Sequence, residues 1–201
     1  MKIYTYPVGE LQANCYLLVH GIECLLIDPG DSAEFILQEI MQRNLHLLGI
    51  FATHGHFDHV MATGELRLSV EVPFYIDKKD LFLLTRLKQT AEHFLKTTLP
   101  IIDPSPISDF ISEQVHLGDF NLMAIPTPGH TPGSRCFYFE KEGVIFTGDT
   151  LFAGAIGRTD LSYSSKSDLK KSLTTLFALP ENTIIYPGHG ESSTIGAEIK
   201  E

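Results

Sequence analysis

The amino-acid sequence predicts an α/β protein in which two β-sheets lie between layers of helices. Two observations carry that prediction. β-rich runs recur along the whole chain and are interleaved with runs of helical spacing. The 201 residues, 43% hydrophobic and 20% charged, suit one unit over 1–201 with a full core and no disordered or repeated tract.

The elements follow in order. Lys2–Tyr6, Ala13–His20 and Cys24–Asp28 are short β-rich runs separated by turn residues, the start of an antiparallel sheet. From Asp31, read as an N-cap, to Arg43, apolar residues at Ile36, Leu37, Ile40 and Met41 give helical spacing. Leu45–Ala52 reads as a buried strand. His59–Leu68 is expected to be a helix, Val72–Ile76 a strand, and Lys78 to about Lys96 a further helix. Pro100, Pro104 and Pro106 make Leu99–Pro106 irregular. Strands return at Phe120–Ile125, Arg135–Glu140 and Gly143–Thr147, the last two joined by a turn at Lys141 and Glu142. Ser167–Leu179 places Leu169, Leu173, Leu176 and Phe177 on one helical face. Asn182–Tyr186 closes as a strand before a final short helix.

A net charge of −10 argues against nucleic acid, which is bound through clustered Lys and Arg. The apolar run Cys15–Ile27 is broken by His20, Gly21 and Glu23, and Met1–Val8 lacks a basic start followed by an apolar stretch. The expectation is a cytoplasmic protein with no membrane partner. Cys15, Cys24 and Cys136 form no C-x-x-C pair and lie in apolar surroundings; they read as buried reduced thiols.

The chemistry concentrates in Thr53–His59, T-H-G-H-F-D-H, directly after the strand ending at Ala52. With the chain extended there, alternate residues His54 and His56 share a side and reach one metal. Where the chain turns, Asp58 and His59 can face a second. Three other stretches end a strand-like run in Gly and a ligand: P-T-P-G-H with His130, F-T-G-D with Asp149, and I-Y-P-G-H with His189. Loops at strand ends display functional groups, and glycines admit close backbone approach. This N and O donor set suits two divalent ions with room for solvent: zinc first, iron or manganese as alternates. His20, His46, His93 and His116 stand alone and read as structural or surface residues.

The core H-G-H-F-D-H, then T-P-G-H-T-P-G-S, F-T-G-D-T-L-F and P-G-H-G, resembles the metallo-β-lactamase superfamily over essentially the whole chain. Within it, the chain is most similar to the glyoxalase II branch of hydroxyacylglutathione hydrolases, in a short, single-domain form. The resemblance implies an αββα four-layer sandwich with the site at one edge of the two sheets. It implies a first metal on His54, His56 and His130, a second on Asp58, His59 and His189, and Asp149 bridging them. True β-lactamases with a similar core usually carry Cys where Asp149 stands, so the hydrolases are expected rather than the antibiotic-destroying branch.

The implied reaction is hydrolysis of small acyl thioesters such as S-lactoylglutathione by a metal-bridging hydroxide, which Asp58 orients. A thiolate, with a conjugate pKa of about 8.5, departs without much protonation, so thioesters fit better than amides. Longer members carry a C-terminal helical extension that helps hold glutathione, and this chain ends about a dozen residues after His189. Arg158, in G-A-I-G-R-T-D-L, lies near where longer members place a basic substrate contact; a salt bridge with Asp160 is the competing role. The alternatives are a persulfide dioxygenase with one iron on His56, His130 and Asp149, and a two-metal lactonase or other ester hydrolase; nucleases of the superfamily share the two-metal site, but the net charge of −10 counts against them.

Overall fold

A computed structural model describes residues 1–110 and 112–199; the last two residues of the expected 1–201 unit lie outside it. One sheet runs in the order β1 (Lys2–Val8), β2 (Ala13–His20), β3 (Glu23–Ile27), β4 (His46–Phe51) and β5 (Phe74–Tyr75). Its first three strands are antiparallel and its last three parallel. The other sheet holds β6 (Gln114–Leu117), β7 (Phe120–Pro126), β8 (Arg135–Phe139), β9 (Val144–Gly148), β12 (Ile184–Pro187) and β13 (Ser193–Thr194). There β9 and β12 are parallel. A small hairpin, β10 (Leu151–Phe152) with β11 (Ala155–Ile156), follows β9.

The layering follows from which way alternate side chains point. Tyr16 and Leu18 of β2, with Leu25 and Ile27 of β3, pack against Phe137, Phe139 and Phe146 of the second sheet. Their neighbours Cys15, Leu17, Val19, Cys24 and Leu26 face the other way, toward helices α1 (Ala33–Gln42), α2 (Phe57–Val60), α3 (Thr63–Ser69) and α5 (Leu87–Leu95). Strands buried on both faces read as continuous apolar runs for this reason. On the far side, Ile125, Cys136, Tyr138 and Ile145 meet Leu176 of α6 (Lys166–Leu176) and Ile195 of α7 (Ile195–Glu198). The result is helix, sheet, sheet, helix: the expected αββα sandwich. Full burial of each such Leu, Ile or Phe contributes roughly 1.5–3 kcal/mol.

Several expected elements differ. The helix expected over His59–Leu68 is two helices, α2 and α3, and Met61–Ala62 separates them. The long helix expected over Lys78–Lys96 is a 3₁₀ turn at Lys78–Asp80, α4 (Leu81–Leu84) and α5, with the break at Thr85–Arg86. Ser32 rather than Asp31 occupies the cap of α1, in a left-handed conformation without a side-chain cap bond. Cys15, Cys24 and Cys136 are buried and free, as expected. No helix among the described residues is long and apolar enough to cross a membrane.

One edge of the sandwich gathers the ends of β3, β4, β7, β9 and β12. The sheets are tied together there: the Asn14 backbone N–H donates to the Gly188 carbonyl at 2.7 Å, and its side-chain amide donates to the Pro187 carbonyl at 3.0 Å. The Tyr16 hydroxyl donates to the same Pro187 carbonyl.

Candidate metal centre

The seven residues expected as ligands come together at this edge in two adjoining groups. His54, His56, His130 and Asp149 form the first; Asp58, His59 and His189 form the second. His54, His56, Asp58 and His59 arrive on the segment that leaves β4, with Asp58 and His59 in the single turn of α2. His130, Asp149 and His189 follow β7, β9 and β12.

In the first group, His54 Nε2 and His130 Nε2 each lie 3.0 Å from His56 Nδ1. Asp149 Oδ2 is 3.5 Å from His130 Nε2. Donors on a tetrahedral ion at 2.0–2.1 Å stand about 3.3 Å apart, so the spacing suits one small cation. The ring protons are accounted for elsewhere. His130 Nδ1–H donates to the Arg158 carbonyl at 3.1 Å. Thr53 Oγ1 donates to Asp28 Oδ2 at 2.6 Å and therefore accepts from His54 Nδ1–H at 3.1 Å. Both Nε2 atoms consequently present lone pairs to the point that His56 Nδ1 faces. On its other side His56 Nε2 meets the Tyr163 hydroxyl at 2.8 Å. Burial, with the neighbouring His59, His56 and His130, holds His54 well below the usual imidazole range. Burial and His130 push His56 down to about 3.

The second group is more acidic. Asp58 Oδ2 is 3.7 Å from His59 Nε2 and 3.3 Å from His189 Nε2. Asp149 Oδ1 lies 3.4 Å and 3.9 Å from the same two nitrogens, so the two carboxylate oxygens of Asp149 are divided between the groups. His59 Nδ1–H donates to Asp28 Oδ2 at 3.0 Å and His189 Nδ1–H to the Leu11 carbonyl at 3.1 Å. His59 Nε2 and Asp149 Oδ1 are buried without a hydrogen-bond partner among the described residues. Such orphaned atoms call for a missing partner. Burial alone would lower His59, but the carboxylates of Asp58, Asp149 and Asp28 outweigh it and push the ring up to about 10. His189 is raised by Asp58 and Asp149 against its own burial. Asp58 is held below the carboxylate range, against burial, by His59 and His189. The pocket demands positive charge, and a divalent ion meets that demand as well as a proton does.

Two carboxylates not singled out in the sequence hold the rings in place. Asp28, at the end of β3, accepts from the Thr53 N–H, the Thr53 hydroxyl and His59. Asp80 is fully buried and accepts from Gly55 N–H at 2.9 Å, Gly133 N–H at 2.7 Å and the Thr131 hydroxyl at 2.7 Å. It thereby clamps the residue between His54 and His56 to the loop that carries His130. Gly188 leaves room for the second group: a Cβ there would stand 2.3 Å from Asp149 Oδ1 and 2.7 Å from His59 Cε1. A signal for Asp28 exists in L-L-I-D-P-G, a carboxylate closing an apolar strand before a Pro-Gly turn. Asp80 and Tyr163 carry no comparable local signal.

Arg158 contributes its carbonyl to His130, while its guanidinium forms a two-pronged pair with Asp160, both contacts at 2.7 Å. The competing structural role is thus the one its side chain plays here. His20 pairs with Asp119 at the surface, and His46, His93 and His116 lie outside both groups.

Comparison with known proteins shows the family. A family model described as the Metallo-beta-lactamase superfamily matches residues 8–189. The hydroxyacylglutathione hydrolase GloC of Haemophilus influenzae is 37% identical over 201 residues, covering 98% of this chain and 95% of its own. A crystal structure of TTHA1623 in a di-iron-bound form superposes with a TM-score of 0.89 at 35% identity, covering 98% of this chain and 97% of the other. The BLEG-1 B3 metallo-beta-lactamase superposes with a TM-score of 0.92 at 33% identity, covering 100% and 97%. A protein bearing the β-lactamase name therefore shares this fold over its length. From the matched span and these relatives, the chain belongs to the metallo-β-lactamase superfamily.

Proposed function

We propose that the protein is a binuclear metallohydrolase that cleaves small acyl thioesters such as S-lactoylglutathione. His54, His56 and His130 would hold one ion and Asp58, His59 and His189 the other, with Asp149 placed to serve both. The observation that carries this reading is the division of Asp149, one oxygen toward each histidine group, with Oδ1 and His59 Nε2 otherwise unpartnered. The GloC relative supports the thioester class, and the di-iron form of TTHA1623 keeps iron beside zinc as the metal.

Two divalent ions in such a site supply hydroxide at neutral pH and a Lewis acid for a carbonyl oxygen. The chain's own residues supply the rest. Asp28 and Thr53 hold the Nδ1–H of His59 and His54, so that Nε2 of each faces the centre, and the His59 Nε2 proton gives way to an ion entering there. Asp58, ionised and beside His189, orients the attacking water. A thiolate leaves with little need of a proton, which suits a site built of ligands rather than free acids.

The test is turnover of S-lactoylglutathione by metal-replete protein, followed as released thiol. Hydrolysis that chelation abolishes and zinc or iron restores is the expected result. No turnover with both ions bound would overturn the thioester reading in favour of a lactonase or other ester hydrolase. One iron with persulfide oxidation would point to the dioxygenase.

A further inference from the structure

Beside the first histidine group lies a pocket that none of the assigned residues explains. Phe82, Leu83 and Leu87 give it apolar walls, and His56, Tyr163 and Arg86 complete it. The Tyr163 ring packs edge-on against Phe82 at 5.2 Å between centroids, and its hydroxyl meets His56 Nε2 at 2.8 Å. The pocket therefore shares a wall with a residue of the candidate metal centre. Arg86 stands at the break between α4 and α5. Its guanidinium has no ion-pair or hydrogen-bond partner among the described residues, in a chain of net charge −10. Arg158, by contrast, already has both prongs of its guanidinium on Asp160.

We infer that this pocket is the subsite for the substrate's distal portion, and that Arg86 recognises a carboxylate there. The inference rests on the thioester reading for the identity of the substrate. The lactoyl group carries no carboxylate, so on that reading the anion belongs to the thiol half. An aliphatic segment seated on Phe82, Leu83 and Leu87 places a terminal carboxylate within the compass of a guanidinium that is otherwise unpaired. A charge-assisted contact at a partly exposed site discriminates about tenfold. The Arg86 contact thus gives a moderate preference for anionic thiols.

The experiment compares kcat/KM for S-lactoylglutathione with that for its diethyl ester, which has the same acyl group and the same scissile bond. In Arg86→Gln the ratio of the two is expected to fall about tenfold, with Arg86→Lys keeping most of it. A ratio unchanged within about twofold in Arg86→Gln, or a fall in Arg158→Gln instead, would overturn the assignment. Should neither thioester be hydrolysed, the catalytic reading fails separately. Calorimetric titration of the metal-loaded protein with S-methylglutathione, which cannot be hydrolysed at sulfur, then decides. Binding weakened about tenfold by Arg86→Gln supports the subsite, and equal affinity, or none in either protein, rejects it.

Discussion

At the scale of single residues, Asp149 is the side chain on which both histidine groups depend. Asp149→Ala is expected to lower metal content to well under one ion per chain and to abolish hydrolysis, since losing a ligand exceeds the roughly 10- to 100-fold weakening that follows loss of a ligand's own support. Far-UV circular dichroism should be unchanged. Elemental analysis showing two ions in this variant would remove Asp149 from the bridge. The two groups also differ in their response to acid. His59 is raised to about 10 by Asp58, Asp149 and Asp28 against its burial, so an ion entering the second group displaces a proton at any lower pH. Affinity there falls about tenfold per unit as pH drops. His56, lowered to about 3 by burial and His130, has no proton to release at neutral pH. On titration from pH 8 toward 5.5, the ion in the second group is expected to leave first, and Asp58→Asn should leave the acid tolerance of the first group intact. Metal content measured after equilibration at each pH checks the order; loss of the first-group ion before the second would contradict it.

At the scale of elements, the site depends on five strand ends meeting at one edge with little room to spare. Gly188→Ala tests that closeness. The added Cβ would stand 2.3 Å from Asp149 Oδ1, so the ligands must spread, and occupancy of the second group is expected to fall at least about tenfold while the strands persist. Occupancy equal to wild type would mean that β12 is not held as closely as described. The same meeting of strand ends explains what could be read from the sequence. His54, His56, Asp58 and His59 were legible because they sit within six positions of one another, and His130, Asp149 and His189 because each closes a β-rich run beside glycine. Asp80 was not, because it is a lone carboxylate whose partners Gly55 and Thr131 lie far along the chain, and Asp28 carried only the local signal of a carboxylate closing an apolar strand, without pointing to Thr53 and His59. The two-residue strands β10, β11 and β13 are too short to carry an alternation. The helix expected over Lys78–Lys96 failed at Thr85–Arg86 because helical spacing on both sides hid the two-residue break between α4 and α5, and that break is where Arg86 stands.

At the scale of the whole molecule, the three hydrophobic clusters include none of the seven candidate ligands. Two sheets between layers of helices were legible because β-rich and helical runs alternate along the chain, and the four-layer αββα order followed from the family resemblance of the ligand motifs. A fold stabilised independently of its ions should survive their removal. Chelated protein is expected to keep its secondary structure and to melt lower by about 10 °C, the effect of losing roughly 4 kcal/mol of ligand linkage in a domain of this size. Unfolding at 25 °C on chelation would show that the centre supports the sandwich rather than resting on it. The central claim is that one short edge of this molecule holds two ions joined by Asp149. Its most direct test is the metal-to-protein ratio of chain loaded with zinc or iron at pH 8 and freed of excess: a ratio close to two is predicted, and one ion per chain, unchanged when Asp58 and His189 are replaced by alanine, would contradict it.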